Sequence, residues 1–161
     1  ITSGARIINL SLAGPSDELL SKLLEAAHDR GVNIVTAALE TQDQPGFPAN
    51  LPMTIPVIST GPDGNPPQPT WISQFPGVVA APGQEILTTV PKEGYDFVSG
   101  SSLATAHVSG LIALLLELNP KLTPDQIKEL LRENGKGAAD NSRSVLDICA
   151  IINKLRHGDG C

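Results

Sequence analysis

Aromatic residues are scarce in this chain: one Trp, one Tyr and three Phe, 3% of the total. So few rings give nucleic-acid bases little on which to stack. Basic clusters are missing as well. Lys and Arg number 11 against 17 Asp and Glu, and the net charge of -6 argues against a nucleic-acid partner. No apolar run predicts a bilayer span, because the longest, residues 104–118, is short and interrupted by His107, Ser109 and Glu117; no membrane partner is expected. Two cysteines are too few to define a redox compartment. Cys149 reads as a core residue on an apolar helical face, and Cys161 as a terminal thiol. The chain opens at Ile1 with neither an initiator Met nor a signal peptide, inside what reads as a strand. No metal site is identified.

What is present is the composition of a soluble globular protein. Apolar residues make up 40% and charged residues 17% of 161 positions, enough chain for one domain with a substantial core. Residues 5–12 read as a buried strand. Ser16 is placed to cap a helix over residues 16–30, with Asp17 and Glu18 in its first turn and Leu19, Leu20, Leu23, Leu24 and Ala27 as its apolar stripe. Gly31 is a natural stop, and residues 32–37 read as the next strand. Strand, helix and strand with short joints predict a βαβ unit, parallel pairing and a right-handed crossover.

From residue 40 to 76 the chain is rich in Pro, Gly, Asn and Gln and reads as surface loop around one strand at 55–59. Shorter strands are expected at 78–81, 86–90 and 95–98. Thr123-Pro124-Asp125-Gln126 has the form of a capping box with Pro at the first helical position, and that helix stops at Gly135. A last helix is expected to start at residues 144–147, with Val145, Ile148, Cys149, Ile152 and Leu155 on one side. The architecture expected is a three-layer α/β/α domain with a mostly parallel sheet.

Residues 99–110 carry the chemistry. They follow the short strand at 95–98 and lead into the apolar run Leu111-Ile112-Ala113-Leu114-Leu115-Leu116. A serine at such a junction sits on the first turn of a helix, where free backbone N–H groups and the helix dipole stabilise negative charge. Attack of a hydroxyl on a carbonyl creates that charge on the carbonyl oxygen. Gly100, Ala104 and Ala106 leave room for a substrate to approach. An ordinary capped core helix has the same local pattern, so spacing alone leaves both readings open.

The residues themselves go further. Gly100-Ser101-Ser102-Leu103-Ala104-Thr105-Ala106-His107-Val108-Ser109-Gly110 closely resembles the G-T-S-M-A-x-P-H-V-A-G block around the nucleophile of subtilisin-like serine proteases (subtilases). Ile7-Ile8-Asn9-Leu10-Ser11-Leu12-Ala13-Gly14-Pro15 is similar to the family's V-I-N-M-S-L-G-G-P strand, and Ala80-Ala81-Pro82-Gly83 to its A-P-G turn. The blocks come in the family's order and span almost the whole chain. The resemblance implies a serine endopeptidase with Ser102 as nucleophile and Ser11, Leu12 and Ala13 as the strand that pairs with an extended polypeptide substrate. It favours a secreted or cell-envelope location. Calcium enters as a cofactor through the resemblance alone.

A serine hydroxyl needs a base, usually a His oriented by a carboxylate. The chain has three histidines. His28 reads as a solvated surface residue, His107 lies five residues past Ser102 and points away from it, and His157 sits near a helix end. None suits Ser102. The family runs Asp, His, Ser along the chain, and its Asp and His blocks precede the strand that opens this sequence. Residues 1–161 therefore read as the C-terminal portion of a peptidase domain, whose partner is the N-terminal half, in the same chain or a separate one. The chain alone is expected to be inactive, and to associate through the edge where that half belongs.

Val32-Asn33-Ile34-Val35-Thr36-Ala37-Ala38-Leu39-Glu40 aligns with the family's V-V-V-V-A-A-A-G-N. By that alignment Ala37, Ala38 and Leu39 line the first specificity pocket, and Glu40 holds the oxyanion-hole position where the family has Asn. A carboxylate cannot donate a hydrogen bond and would repel the oxyanion. Removing one such donor costs about 10²–10³ in kcat, a figure measured on a subtilisin. Leu39, in place of Gly, adds a side chain where a substrate residue should lie. Gln42, Gln44 and Asn50 are neighbouring donors, and Ala106 replaces the block's Pro. These departures make a non-catalytic relative, a peptide-binding or structural module, the second reading. A third is an α/β-hydrolase-type esterase: Gly100 to Ala104 nearly fits G-x-S-x-G, with Asp140 or Asp147 and His157 in that fold's chain order.

Overall fold

The computed structural model describes residues 3–40, 42–65, 70–75, 77–133, 135–136 and 144–156. The elements run β1 (Ile7–Leu10), α1 (Glu18–His28), β2 (Asn33–Ala37), β3 (Thr54–Thr60), a 3-10 turn (Ile72–Gln74), β4 (Val79–Pro82), β5 (Ile86–Val90), β6 (Gly94–Val98), α2 (Ser101–Leu118), α3 (Pro124–Glu133), β7 (Gly135–Lys136), β8 (Ser144–Leu146) and α4 (Ile148–Arg156). A six-stranded sheet in the order β1-β2-β3-β4-β8-β7 is parallel from β1 to β8, with β7 antiparallel to β8. β1 and β2 pair in parallel through α1, as the βαβ reading requires.

β2 and β3 are buried along their whole length, the pattern of a parallel sheet covered on both faces. Alternate residues serve opposite layers. Val35, Ile55, Val57 and Val79 pack with Ala104, Val108, Ile112 and Leu115 of α2 and with α3 and α4, whereas Ile34 packs with Leu24 and Ala27 of α1. Trp71 is fully buried against Ile58 and Ala80 and meets Phe75 edge-on, ring centroids 5.8 Å apart. β5 and β6 form a separate antiparallel hairpin rather than joining the parallel sheet. Thr123 and Gln126 form the expected reciprocal capping box, Gln126 N donating to Thr123 Oγ1 and Thr123 N to Gln126 Oε1.

Several local expectations are corrected. Asp17, not Ser16, caps α1: its carboxylate accepts from Leu20 N at 2.8 Å. α1 buries Leu24 and Ala27, while Leu19 and Leu23 stand exposed, because the sheet contacts a narrower stripe than the five apolar positions allow. Residues 144–146 are strand β8 rather than a helix start, and Asp147 caps α4 by accepting from Ala150 N. The inner face of α4 is Ile151, with Leu155 packed partly against the core; Ile148 and Cys149 face outward. Cys149 is disulfide-bonded rather than a free core thiol; the chain's other cysteine, Cys161, lies outside the described residues. α2 is longer than the apolar run suggested: 18 residues with mean hydropathy 1.5, long and apolar enough by composition to cross a bilayer. Here it lies across β1 to β4 as the core helix.

Candidate active site

Ser102 is exposed on the first turn of α2, among backbone N–H groups that have no partner within the helix. Two segments hold that turn, and a third carries the positions aligned with the specificity pocket and the oxyanion hole. Gly100 N donates to Gly83 O at 2.7 Å, and Glu85 N donates to Ser99 Oγ at 2.9 Å, which laces the A-P-G turn to the turn before the helix. The approach at Gly83 demands glycine. A Cβ there would stand 2.7 Å from Ser59 Cβ, 2.9 Å from Gly100 O and 3.0 Å from Ala104 Cβ.

The second segment follows β1. Ser109 Oγ donates to Asn9 Oδ1 at 2.8 Å, with Thr105 O at 2.9 Å as an alternative acceptor; Asn9 Nδ2 donates to Ser11 Oγ at 2.9 Å; and Ser11 Oγ donates to Ser102 O at 2.9 Å. This relay ties the end of β1 to the carbonyl of Ser102. Ser11, Leu12 and Ala13 are exposed and lie beyond the end of the strand. Sequence reading passed over Asn9 and Ser109. Their signals were a polar residue inside an apolar strand, and a serine where the family block has alanine.

The third segment joins β2 to β3. Ala37 and Ala38 are buried, Ala38 completely, so neither side chain is open to a ligand. Leu39 is half-buried. Its N–H donates to Pro45 O at 2.8 Å and its carbonyl accepts from Trp71 Nε1 at 3.1 Å. The Leu39 side chain rests on Gly46, with Cδ1 2.7 Å from where a Cβ would be; Gly46 also has φ +76°, so this pair leaves residue 46 to glycine. Gly14 N donates to Phe47 O at 3.0 Å, so residues 14, 39 and 45–47 form one connected wall. The Glu40 carboxylate does not point freely toward Ser102. Oε1 accepts from Ser59 N at 2.5 Å and Oε2 from Ser59 Oγ at 3.0 Å. Gln42, Gln44 and Asn50 are exposed.

Among the described residues no histidine reaches Ser102. His107 is exposed, with Nδ1 3.1 Å from Leu103 O on its own helix. His28 is less solvated than expected: its side chain is 24% exposed and Nε2 lies 3.7 Å from Asp125 Oδ1. His157 and Asp140 lie outside the described residues. Asp147 is committed to capping α4. Perturbed titratable groups lie elsewhere. Arg132 holds the Glu129 carboxyl below its ordinary range by hydrogen bonding, Asn65 does the same for Asp63, and burial pushes the Lys128 ammonium down. No group of three or more His, Cys, Asp or Glu converges among the described residues, and no step is assigned to calcium.

A family model described as the subtilase family matches residues 1–146. Subtilisin DY of Bacillus licheniformis is 30% identical over 146 residues, covering 86% of this chain and 53% of that protein. Subtilisin-like protease 6 of Trichophyton verrucosum is 34% identical over 152 residues, covering 89% and 36%. The chain thus spans about half the length, or less, of these curated relatives. Among solved structures, the prenylagaramide maturation protease PagA superposes with a TM-score of 0.78 at 30% identity, covering 96% of this chain and 63% of that one. The patellamide maturation protease PatA superposes at 0.76 with 28% identity, covering 98% and 65%. The serine-bearing turn at the head of the core helix, the A-P-G turn locked against it and the matching sheet together displace the esterase reading: the chain belongs to the subtilase family of serine proteases.

Proposed function

We propose that this chain carries the nucleophile half of a subtilisin-type serine endopeptidase. Ser102 attacks the scissile carbonyl of an extended polypeptide laid along Ser11, Leu12 and Ala13, and backbone N–H groups at the start of α2 take the oxyanion. The general-base His and its orienting Asp come from polypeptide outside these 161 residues. The observation that carries this reading is the exposed Ser102 at the head of α2, in a turn bonded both to Gly83 and, through Ser11, to the end of β1.

Two further features support a completing partner. β1 is the edge of a parallel sheet and is only half-buried, so its outer backbone awaits another strand. α2 carries a single charged residue, Glu117, yet Leu114 and Leu118 on it are 56% and 41% exposed; a helix apolar all round belongs in an interior. Glu40 in place of the family's Asn, with no histidine bonded to Ser102 among the described residues, favours a second reading, a non-catalytic relative that binds peptide.

The protein expressed from its complete coding sequence should label at Ser102 with a fluorophosphonate and lose both labelling and peptide turnover in Ser102→Ala. Residues 1–161 alone should do neither. A folded complete protein that binds peptide but never labels would establish the non-catalytic reading instead.

A further inference from the structure

Resting on Ser102 as nucleophile, we propose that Glu40 is a positioning residue: its carboxylate grips Ser59 and so supports the layer on which the nucleophile turn sits. It is neither an oxyanion donor nor a free charge opposing the oxyanion.

The backbone ladder explains why a carboxylate is useful there. β2 and β3 stay paired as far as Ala37 and Val57, and Ala38 N donates to Val57 O at 2.9 Å. Beyond that point β2 supplies no further carbonyl, while β3 continues to Thr60. Ser59 is 2% exposed, and its N–H would be left without an acceptor in the interior. An unsatisfied buried donor costs about 1–3 kcal/mol. Glu40 Oε1 takes that N–H at 2.5 Å, and Oε2 takes the Ser59 hydroxyl at 3.0 Å. Both oxygens are thereby committed to donors on one residue, in charge-assisted bonds stronger than neutral ones.

Ser59 in turn touches the catalytic layer. Its Cβ lies against Gly83, at the same point where Gly100 O and Ala104 Cβ converge. The neighbouring Thr60 carbonyl accepts from Gly83 N at 3.2 Å and Gln84 N at 3.1 Å. Gly83 O then holds Gly100 N, two residues before Ser102. Glu40, Ser59, Gly83 and Gly100 are therefore consecutive links, and slack in the first is passed to the serine. A displacement of about 1 Å at a reacting group can cost on the order of 10²-fold in rate.

Length of side chain separates this role from the oxyanion role. Glutamine keeps the reach: its carbonyl can accept from Ser59 N and its amide can donate to Ser59 Oγ. Asparagine is one methylene short. In the complete protein, Glu40→Gln should stay close to the parent in fluorophosphonate labelling. Glu40→Asn and Glu40→Ala should lower kcat about tenfold or more with KM little changed, and Glu40→Ala/Ser59→Ala should be no worse than Glu40→Ala. Faster turnover in Glu40→Asn, or equal losses in the Gln and Asn variants, would overturn the proposal.

Amide hydrogen exchange in a Ser102→Ala background gives a readout that needs no catalysis. Ser59 and Gly100 should exchange faster in Glu40→Ala and Glu40→Asn than in Glu40→Gln. Unchanged protection at both amides would sink the positioning role whatever the enzyme does. The expected exchange pattern in a protein that never labels would sustain the Glu40–Ser59 link while removing Ser102 as nucleophile.

Discussion

On the two sides of Ser102 the chain uses opposite kinds of polar contact. Toward β1, Ser109, Asn9 and Ser11 are neutral and mostly solvent-exposed, and each donates onward until the relay ends on the Ser102 carbonyl. Toward β2 and β3, a carboxylate that can only accept closes on Ser59, whose own N–H and hydroxyl are its donors. The neutral relay keeps residues that the family pattern also has at Asn9 and Ser11. The charged clamp occurs where the chain departs from the pattern. The contrast teaches that one turn can be braced by exposed neutral donors on one side and, on the other, by a carboxylate that satisfies a buried strand end.

Gly83→Ala should produce the largest effect, because the new Cβ would press on Ser59 of β3 and on the start of α2 at once. Its neighbours there are a side chain of β3, a backbone carbonyl and a side chain of α2, none of which is the free end of a flexible chain. A loss of about 1–3 kcal/mol, read as a lower Tm, should accompany lost Ser102 labelling in the complete protein. An unchanged Tm would break the comparison, since the clamped Ser59 would then not press on the nucleophile turn at Gly83.

Gly46→Ala should come next and sharpen the departure side alone. It forces a left-handed φ, costing about 1–2 kcal/mol, and a clash with the Leu39 side chain. Shortening that side chain with Leu39→Ala should recover the steric part and not the backbone part, so thermal denaturation of the four variants should be non-additive. Strict additivity would mean that Leu39 does not rest on residue 46.

Asn9→Ala should have the smallest effect, about 1 kcal/mol or less, since its partners are exposed and water can replace them. It should still slow Ser102 labelling. Thr123→Ala is its control: losing the α3 cap costs a similar amount, about 1 kcal/mol, with labelling unchanged because the cap touches neither side of Ser102.

The parts of this molecule legible in sequence are those governed by local pattern. The β1–α1–β2 unit follows from alternation and helical period, the Thr123–Gln126 box from four consecutive residues, and the place of Ser102 on the first turn of α2 from a block of eleven. What was misread depends on where the chain returns. Leu19 and Leu23 have helical spacing but meet no sheet, and residues 144–146 become strand because β4 offers them an edge. Glu40 could be flagged as a missing donor, yet its acceptor role depends on Ser59, 19 residues away on another strand.

The strand order also sets an order of assembly. β1, β2, β3 and β4 lie side by side in the order in which they occur in the chain, so each can dock on its predecessor through comparatively short-range contacts. Ser11 and Ser102 are 91 residues apart, and their bond closes only when α2 lies back across β1. Closing so long a loop carries an entropic cost that the neighbouring strand pairings do not, and high contact order makes it slow. A nascent chain can therefore build its sheet strand by strand before Ser102 has its place beside the end of β1, which it reaches only when α2 folds back.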